Sequence, residues 1–406
     1  MKSILKSFIK NILVLESRII LKKYKPYIIA VTGSVGKTST KDAIYTAISS
    51  NFKVRKNEKS FNSEIGVPLT ILGVQNAWSD PVGWLKNIFH GLELIFFKHD
   101  YPEYLIVEVG ADHPGDIHSI AVWLKPDIAI VTKVGAVPVH VEFFPSIESV
   151  LLEKFELPKA LKKDGSFIFS YDDQAVRSLA SVIERKSISF GMDVNANIHA
   201  KDYAIKYENI DGLNIPSGIS FIVSVFGSEY KVELNGVLGK QHINPVLVAV
   251  GVANIKNMSI QKAIDNFKNH IPPRGRMNII KGINDCILID DSYNSSPDAL
   301  HEAISAVKKI ETLGKRILVI GDMMELGQYS KSEHEKIRGD LFGTNFDVIT
   351  VGQRAKVIAR VTKNDKSFNN SIEAGEYLKD IVSKGDVVLI KGSQSMRMER
   401  VTKALM

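Results

Sequence analysis

Apolar residues in this chain follow two rhythms. Short, nearly continuous apolar runs occur at residues 27–31, 104–109, 126–132 and 166–169, with stretches of helical spacing between them. Runs of that kind, separated by helices, predict a parallel sheet covered on both faces. Between residues 196 and 237 the rhythm turns to alternation, as in Ile219-Ser220-Phe221-Ile222-Val223-Ser224-Val225 and Tyr230-Lys231-Val232-Glu233-Leu234, which predicts antiparallel hairpins. A helical stretch then runs from about Asn244 to His270, and Pro272-Pro273-Arg274-Gly275-Arg276 breaks it. Beyond the break, strands at 286–290, 316–320, 347–351 and 386–390 alternate with helices, forming a second doubly wound α/β unit with ligands expected at the carboxyl ends of its strands. The expected organisation is an N-terminal helix (1–26), a central α/β domain with a small antiparallel β region (27–271), and a Rossmann-like C-terminal α/β domain (272–406).

The N-terminal stretch places Ile4, Leu5, Phe8, Ile9, Ile12, Leu13, Ile19 and Ile20 at helical spacing among Lys2, Lys6, Lys10, Arg18, Lys22 and Lys23. It has no uncharged apolar stretch ending in a small-residue cleavage site, so it is not a secretory signal. No uninterrupted apolar run reaches the ~20 residues of a membrane span. Two readings stand: a helix packing its apolar stripe on the rest of the protein, or a basic amphipathic helix (residues 1–25) resting on anionic lipid at the inner membrane face.

Composition narrows the classes. The 406 residues are 45% hydrophobic and 24% charged, values of an ordinary globular protein. A single cysteine, Cys286, excludes a disulfide framework or a cysteine zinc site and points to a reducing cytoplasm. The net charge of +7 suits anionic ligands but is spread along the chain. No basic and aromatic patch of the nucleic-acid-binding kind is present, so no nucleic acid is expected as a partner.

The most informative segment is Gly33-Ser34-Val35-Gly36-Lys37-Thr38-Ser39, directly after the apolar run at 27–31. A strand, a glycine loop, Lys-Thr and then a helix form a phosphate cradle, with backbone N–H groups and the helix dipole facing the anion. Lys37 is placed to reach the β/γ-phosphates and Thr38 to offer its hydroxyl to Mg²⁺. Only two residues separate the glycines, fewer than the four of the ordinary Walker loop. Acidic or histidine residues follow other strands. Glu108 closes one and precedes Val109-Gly110-Ala111-Asp112-His113-Pro114-Gly115, His140 follows another, and Asp290 and Asp291 end a third. A strand-end carboxylate facing a phosphate loop suits Mg²⁺, with a helix N-cap as the alternative for Glu108. His140 on its own reads as a satisfied polar residue. Local composition makes Lys154 a solvated helix lysine, makes Asn62 a polar loop residue, and lets Met323 and Met324 fill core gaps.

Together these segments resemble the Mur ligases of peptidoglycan synthesis, and most nearly the branch that adds D-alanyl-D-alanine to a muramoyl-tripeptide. The resemblance rests on the short phosphate loop, Phe61-Asn62-Ser63-Glu64-Ile65-Gly66-Val67-Pro68, residues 108–115, Asp290-Asp291-Ser292-Tyr293-Asn294-Ser295-Ser296-Pro297, Gly321-Asp322-Met323-Met324-Glu325-Leu326-Gly327 and residues 391–399. It implies a cytoplasmic, ATP-dependent amide ligase working through an acyl phosphate, a monomer with ATP, a muramoyl-peptide and D-alanyl-D-alanine as partners. By the resemblance, residues 33–39 bind ATP, and Lys37, Glu108, His140 and Lys154 are catalytic. Thr38, Glu108, His140 and a carbamoylated Lys154 are the Mg²⁺ ligands. His242, Arg276 and Asp291 contact the nucleotide, and Asn62, Asn294, Ser393 and Met396 meet the substrates.

Three departures accompany it. The loop begins after only about thirty residues, room for one helix but not for the family's N-terminal UDP-binding domain, so UDP recognition is expected to differ. His242 stands where the family has an adenine-contacting Asn, and Ser296 where it has Asn. Two further readings are a folylpolyglutamate-synthase-like ligase, against which Thr38 speaks, and a non-catalytic ATP-binding partner of a cell-wall complex.

Overall fold

The computed structural model describes residues 2–57, 61–210, 212–359 and 366–406. Met1 and Ser60, and the side chains of Lys2 and Ile4 in the N-terminal stripe, lie outside the description. The chain forms two compact units that interleave along the sequence. The first takes in the chain up to Val134, Glu148–His199 and Pro245–Asn266; the second takes in Gly135–Ile147, Ala200–Asn244 and Phe267–Met406.

In the first unit the apolar runs become strands β1 (Tyr27–Thr32), β2 (Val54–Lys56), β3 (Tyr104–Glu108), β4 (Ile128–Val131), β5 (Ser166–Ser170) and β6 (Lys186–Gly191). Their order is β2-β3-β1-β4-β5-β6, and all pairings are parallel. β1 lies inside the sheet and Ile29, Ala30 and Val31 have no exposed surface, which is why its sequence is continuously apolar rather than alternating. The helices of this unit are α1 (Lys2–Tyr24), α2 (Lys37–Ile48), α3 (Gly66–Leu72), α4 (Pro81–Phe96), α5 (Asp116–Leu124), α6 (Ile147–Lys159) and α7 (Gln174–Ala180), with most of α8 (Ile243–Ile255) and all of α9 (Ile260–Asp265).

α1 does pack on the protein. Leu13 and Ile20 are fully buried. Lys23 Nζ donates to the carbonyls of Leu94 and Ile95 at 2.9 Å, capping the end of α4. Glu16 is buried at the same contact, and a Cβ on Gly91 of α4 would collide with its carboxylate. Neither Glu16 oxygen has a hydrogen-bond partner, and burial pushes its pKa up to about 7. The folded state therefore holds the proton more tightly than the unfolded chain. That stabilisation is complete below the unfolded pKa near 4.5 and is lost as pH rises through about 7. Glu16→Gln is expected to raise stability by roughly 1–2 kcal/mol at pH 8 and by little at pH 4.5, measured as paired thermal melts.

In the second unit β7 (Ile198–Ile210), which starts in the first, is followed by β8 (Leu213–Val225) and β9 (Ser228–Asn235), adjacent in that order. β8 and β9 are antiparallel, as their alternation requires. A six-stranded sheet runs β10 (Asn278–Lys281), β11 (Ile287–Asp291), β15 (Val387–Lys391), β12 (Arg316–Gly321), β13 (Phe346–Val351), β14 (Lys366–Phe368). Only the edge strand β10 is antiparallel to its neighbour. The period-two pattern sorts its side chains to two cores. Ile287 and Ile289 pack with Leu300 and Ile304 of α10 (Pro297–Lys308); Leu288 and Val319 pack with Leu378 of α12 (Ser371–Ile381) and Val401 of α13 (Glu399–Ala404). α11 (Ser330–Leu341) adds Ile337 and Leu341 to the first of these cores. Among the described residues no helix is long and apolar enough to cross a membrane.

Candidate active site

β1 delivers the chain into Gly33, whose φ of 139° and close approach to Thr132 Oγ1 leave no space for a Cβ. Ser34 and Val35 donate their N–H groups to the Lys133 carbonyl at 3.0 and 3.1 Å, pinning the loop to the segment after β4. Gly36, at φ 88°, turns the chain into α2 with no side-chain cap, so the positive end of the helix dipole opens on the loop, where it favours an anion. Lys37 heads the helix and its Nζ donates back to the Gly33 carbonyl at 2.7 Å.

Glu108 is the last residue of β3, paired in register with Val31 of β1 and 1% exposed. Its Oε2 accepts from Thr38 Oγ1 at 3.0 Å and its Oε1 from Asn62 Nδ2 at 3.2 Å. Asn62 is held in turn by its own carbonyl, which accepts from Gly110 N at 2.8 Å. The geometry thus gathers Lys37, Thr38, Glu108 and Asn62 around one loop. Ser39 lies half-buried in the same first turn of α2.

Lys154 departs from the solvated helix lysine that its local sequence suggests. It is 3% exposed on α6. Its neighbour Glu153 caps the start of α5, accepting from Gly115 N at 2.8 Å, Ile117 N at 2.7 Å and His118 N at 3.2 Å. That cap fixes α6 against the 108–115 loop. Burial, and after it the positive charge of Lys37, lowers the Lys154 pKa to about 7, against the opposing pull of Glu153, Asp112 and Asp116.

The other expected site residues belong to the second unit. His140 sits at φ 68°, its Nδ1 2.9 Å from Glu325 Oε2, and this contact holds the Glu325 carboxyl below its usual range. Gly327 N donates to Glu142 Oε2 at 3.3 Å, so residues 140–142 are tied to the loop after β12. His242 is buried, and burial pushes its pKa down to about 4. The neutral ring donates from Nε2 to the Arg276 carbonyl at 2.9 Å. The Arg276 guanidinium lies over the Tyr293 ring, 4.4 Å from its centre.

At the carboxyl ends of β11 and β15, Lys391 Nζ donates to Asp291 Oδ2 at 2.6 Å and to the Asn294 carbonyl at 2.9 Å. Burial raises the Asp291 pKa and Lys391 opposes the rise. Ser393 Oγ accepts from Met324 N at 2.9 Å, while Met396 is partly buried against the adjoining core. Asp291, Asn294, Ser393 and Met396 therefore share the strand ends where the sheet's topology favours a ligand.

Comparison with known proteins now adds to the geometry. The Mur ligase middle domain family model matches residues 31–83 and 85–253, and the Mur ligase, glutamate ligase domain model matches 275–394. The chain belongs to the Mur ligase family. It is 25% identical over 385 residues to the UDP-N-acetylmuramoyl-tripeptide–D-alanyl-D-alanine ligase of Bacillus subtilis (strain 168), covering 93% of this chain and 75% of that protein. The ligase of the same name from Buchnera aphidicola subsp. Acyrthosiphon pisum is 29% identical over 392 residues, 95% of this chain and 77% of the other. Among solved structures, MurF ligase from Thermotoga maritima in complex with ADP superposes with a TM-score of 0.80 at 26% identity, covering 98% of this chain and 83% of that one.

Three residues of this Mur ligase with clear structural roles were not singled out by sequence reasoning: Glu153, Glu325 and Lys391. Each acts through a partner distant in sequence. The one local signal was the position of Lys391 at the end of a buried strand. The Ser296 substitution is explained locally, since Ser296 is the N-cap of α10 and accepts from Ala299 N at 3.3 Å, a role Ser and Asn fill equally well. Asp291→Asn is expected to cost about 3–5 kcal/mol in urea unfolding, because it strands a buried lysine, and pairing it with Lys391→Met should recover most of that loss.

Among the described residues no group of three or more His, Cys, Asp or Glu side chains is arranged as a metal cage. The oxygen donors Thr38 and Glu108, 3.0 Å apart beside the phosphate loop, nonetheless fit Mg²⁺, which takes one or two protein oxygens and completes its shell with phosphate and water.

Proposed function

We propose that this Mur ligase joins D-alanyl-D-alanine to a muramoyl-tripeptide, using ATP. The observation that carries the reading is the cluster of Lys37, Thr38, Glu108 and Asn62 at the loop, with Lys154 buried at a pKa near 7 beside it. The likeness to ligases of that name, across nearly the whole chain, supports it.

The acceptor carboxylate attacks the γ-phosphorus of ATP, the bond to the β-phosphate oxygen breaks, and ADP leaves. The amine of D-alanyl-D-alanine then attacks the acyl phosphate carbon and loses a proton; the carbon–oxygen bond to phosphate breaks and inorganic phosphate departs. Two anions must meet in the first step, so positive charge has to offset their repulsion. Lys37 and the N-terminus of α2 supply it from the protein. Thr38 and Glu108 are the proposed holders of Mg²⁺, which supplies charge neutralisation on the phosphates.

Lys154, with a free amine at neutral pH, is suited to add CO₂, forming a nitrogen–carbon bond and releasing a proton. The product is an anionic oxygen ligand for a second Mg²⁺. His140 would be a further ligand of that ion. His242, Arg276 and Asp291 are assigned to the nucleotide, and Asn62, Asn294, Ser393 and Met396 to the substrates.

Phosphate release with UDP-N-acetylmuramoyl-tripeptide and D-alanyl-D-alanine tests the reading, run beside tetrahydrofolate and glutamate. Turnover that needs both members of the first pair supports it. Turnover with the second pair, or with neither, overturns it. Repeating the assay with a muramoyl-tripeptide lacking UDP measures how much the nucleotide end contributes.

A further inference from the structure

α4 buries only Gly91 and Leu94 among its sixteen residues. Its other face carries Val82, Leu85, Phe89, Leu92 and Phe96 at alternating steps of three and four, all exposed, Phe89 by 61% and Phe96 by 74%. That spacing makes one apolar stripe along the helix, and none of the described residues covers it. Its neighbour α1 repeats the device. Leu5, Phe8, Leu15 and Ile19 are exposed, while Ile9, Leu13 and Ile20 turn inward. Trp78, 73% exposed, stands just before α4. Scattered exposed apolar residues are ordinary on a soluble surface, but stripes along two packed helices mark an interaction surface.

Charge decides the kind of partner. From residue 5 to 25 the sequence carries Lys6, Lys10, Arg18, Lys22, Lys23 and Lys25 against one acid, Glu16. Glu16 is buried with its pKa raised, so it offsets little of that charge at the surface. Lys6, Arg18, Lys22 and Lys25 are exposed. A protein partner or a second copy would need complementary acids or a dry apolar match. A bilayer surface with anionic headgroups meets the apolar stripes and the basic residues together. Exposed tryptophan beside such a stripe fits the headgroup boundary.

We propose that α1 and α4 form a docking surface that seats this ligase on an anionic membrane, lying on the bilayer rather than crossing it. The surface uses none of the residues assigned to ATP or to the amide-forming step, so it sets where the enzyme works and not how.

Flotation of the full chain with vesicles of phosphatidylcholine alone, or with 30% phosphatidylglycerol, tests it. Binding is expected to the anionic vesicles, with a blue shift of tryptophan fluorescence and weakening at high salt. Phe89→Glu combined with Phe96→Glu should lower the partition coefficient by at least about tenfold. Arg18→Glu with Lys22→Glu should erase the preference for the anionic lipid. ATP-dependent phosphate release in the absence of vesicles should be unchanged in both variants, showing that they fold. No binding to anionic vesicles, or equal binding by the Phe89/Phe96 variant, overturns the proposal. So does a lipid-free dimer that this variant dissolves without any vesicle binding by the wild type, since the stripe would then belong to a second copy.

Discussion

Lys37→Ala is expected to lower ATP-dependent phosphate release by roughly 10²–10³-fold or more, the scale seen when one preorganised charge is removed from a site of developing charge. Its ammonium sits at the head of α2, where the helix dipole already favours an anion. It donates to the Gly33 carbonyl, a contact it can trade for phosphate oxygens without leaving the loop. Loss of this charge should weaken nucleotide binding in calorimetry and remove turnover together. A second effect separates an electrostatic role from a merely structural one. Lys37 is one of the causes that depress the Lys154 pKa, so the alanine variant should raise that pKa, seen by NMR of a labelled Lys154 amine. Near-normal turnover in Lys37→Ala would remove the phosphate cradle from the account.

The phosphate loop was readable because its determinants are local. A buried strand, two glycines and Lys-Thr lie within a dozen residues, and the positive φ values at Gly33 and Gly36 are what glycine alone adopts cheaply. The parallel sheets and the antiparallel region were readable from the change of apolar period, and the strands at 27–32 and 287–291 fall where those runs predict. Lys154 was not readable. Its heptapeptide, Leu151-Leu152-Glu153-Lys154-Phe155-Glu156-Leu157, is that of a surface helix. What makes it unusual is burial brought by the 108–115 loop, through a Glu153 cap linking residues 35 to 38 positions apart.

The pairing of Asp291 with Lys391 spans 100 residues, and its one local sign is that each residue ends a buried strand. His140 shows the converse. On its own it read as a satisfied polar residue, and in the second unit its ring does meet Glu325, a residue the sequence offered only as part of a motif; metal ligation was implied by the family resemblance alone. The spacing of the α4 stripe is visible in the sequence, but apolar residues at helical spacing normally face a core. Only the fold reveals that this face is left outside.

Lys154→Ala is expected to cost a similar 10²–10³-fold in turnover, with partial recovery when a short carboxylate such as acetate or propionate is added. The argument is one of protonation. An ordinary lysine, with a pKa near 10.4, is almost entirely charged at pH 7 and cannot add CO₂. A lysine lowered to about 7 is roughly half free amine at that pH. Carbamate formation should therefore rise as pH passes upward through 7 and level off above it, and activity of enzyme stripped of CO₂ should recover on adding bicarbonate along the same curve. The same burial makes the charged form costly, so without the carbamate stability should increase from about pH 7 towards 10.5, where the unfolded chain binds the proton and the folded one does not. Glutamate at this position supplies a carboxylate two methylenes from the helix rather than at the end of a long stem. Lys154→Glu should thus rescue less than free acetate, which can place itself. A fully active Lys154→Ala enzyme, or bicarbonate-independent activity in the wild type, would leave the buried amine with a packing role only.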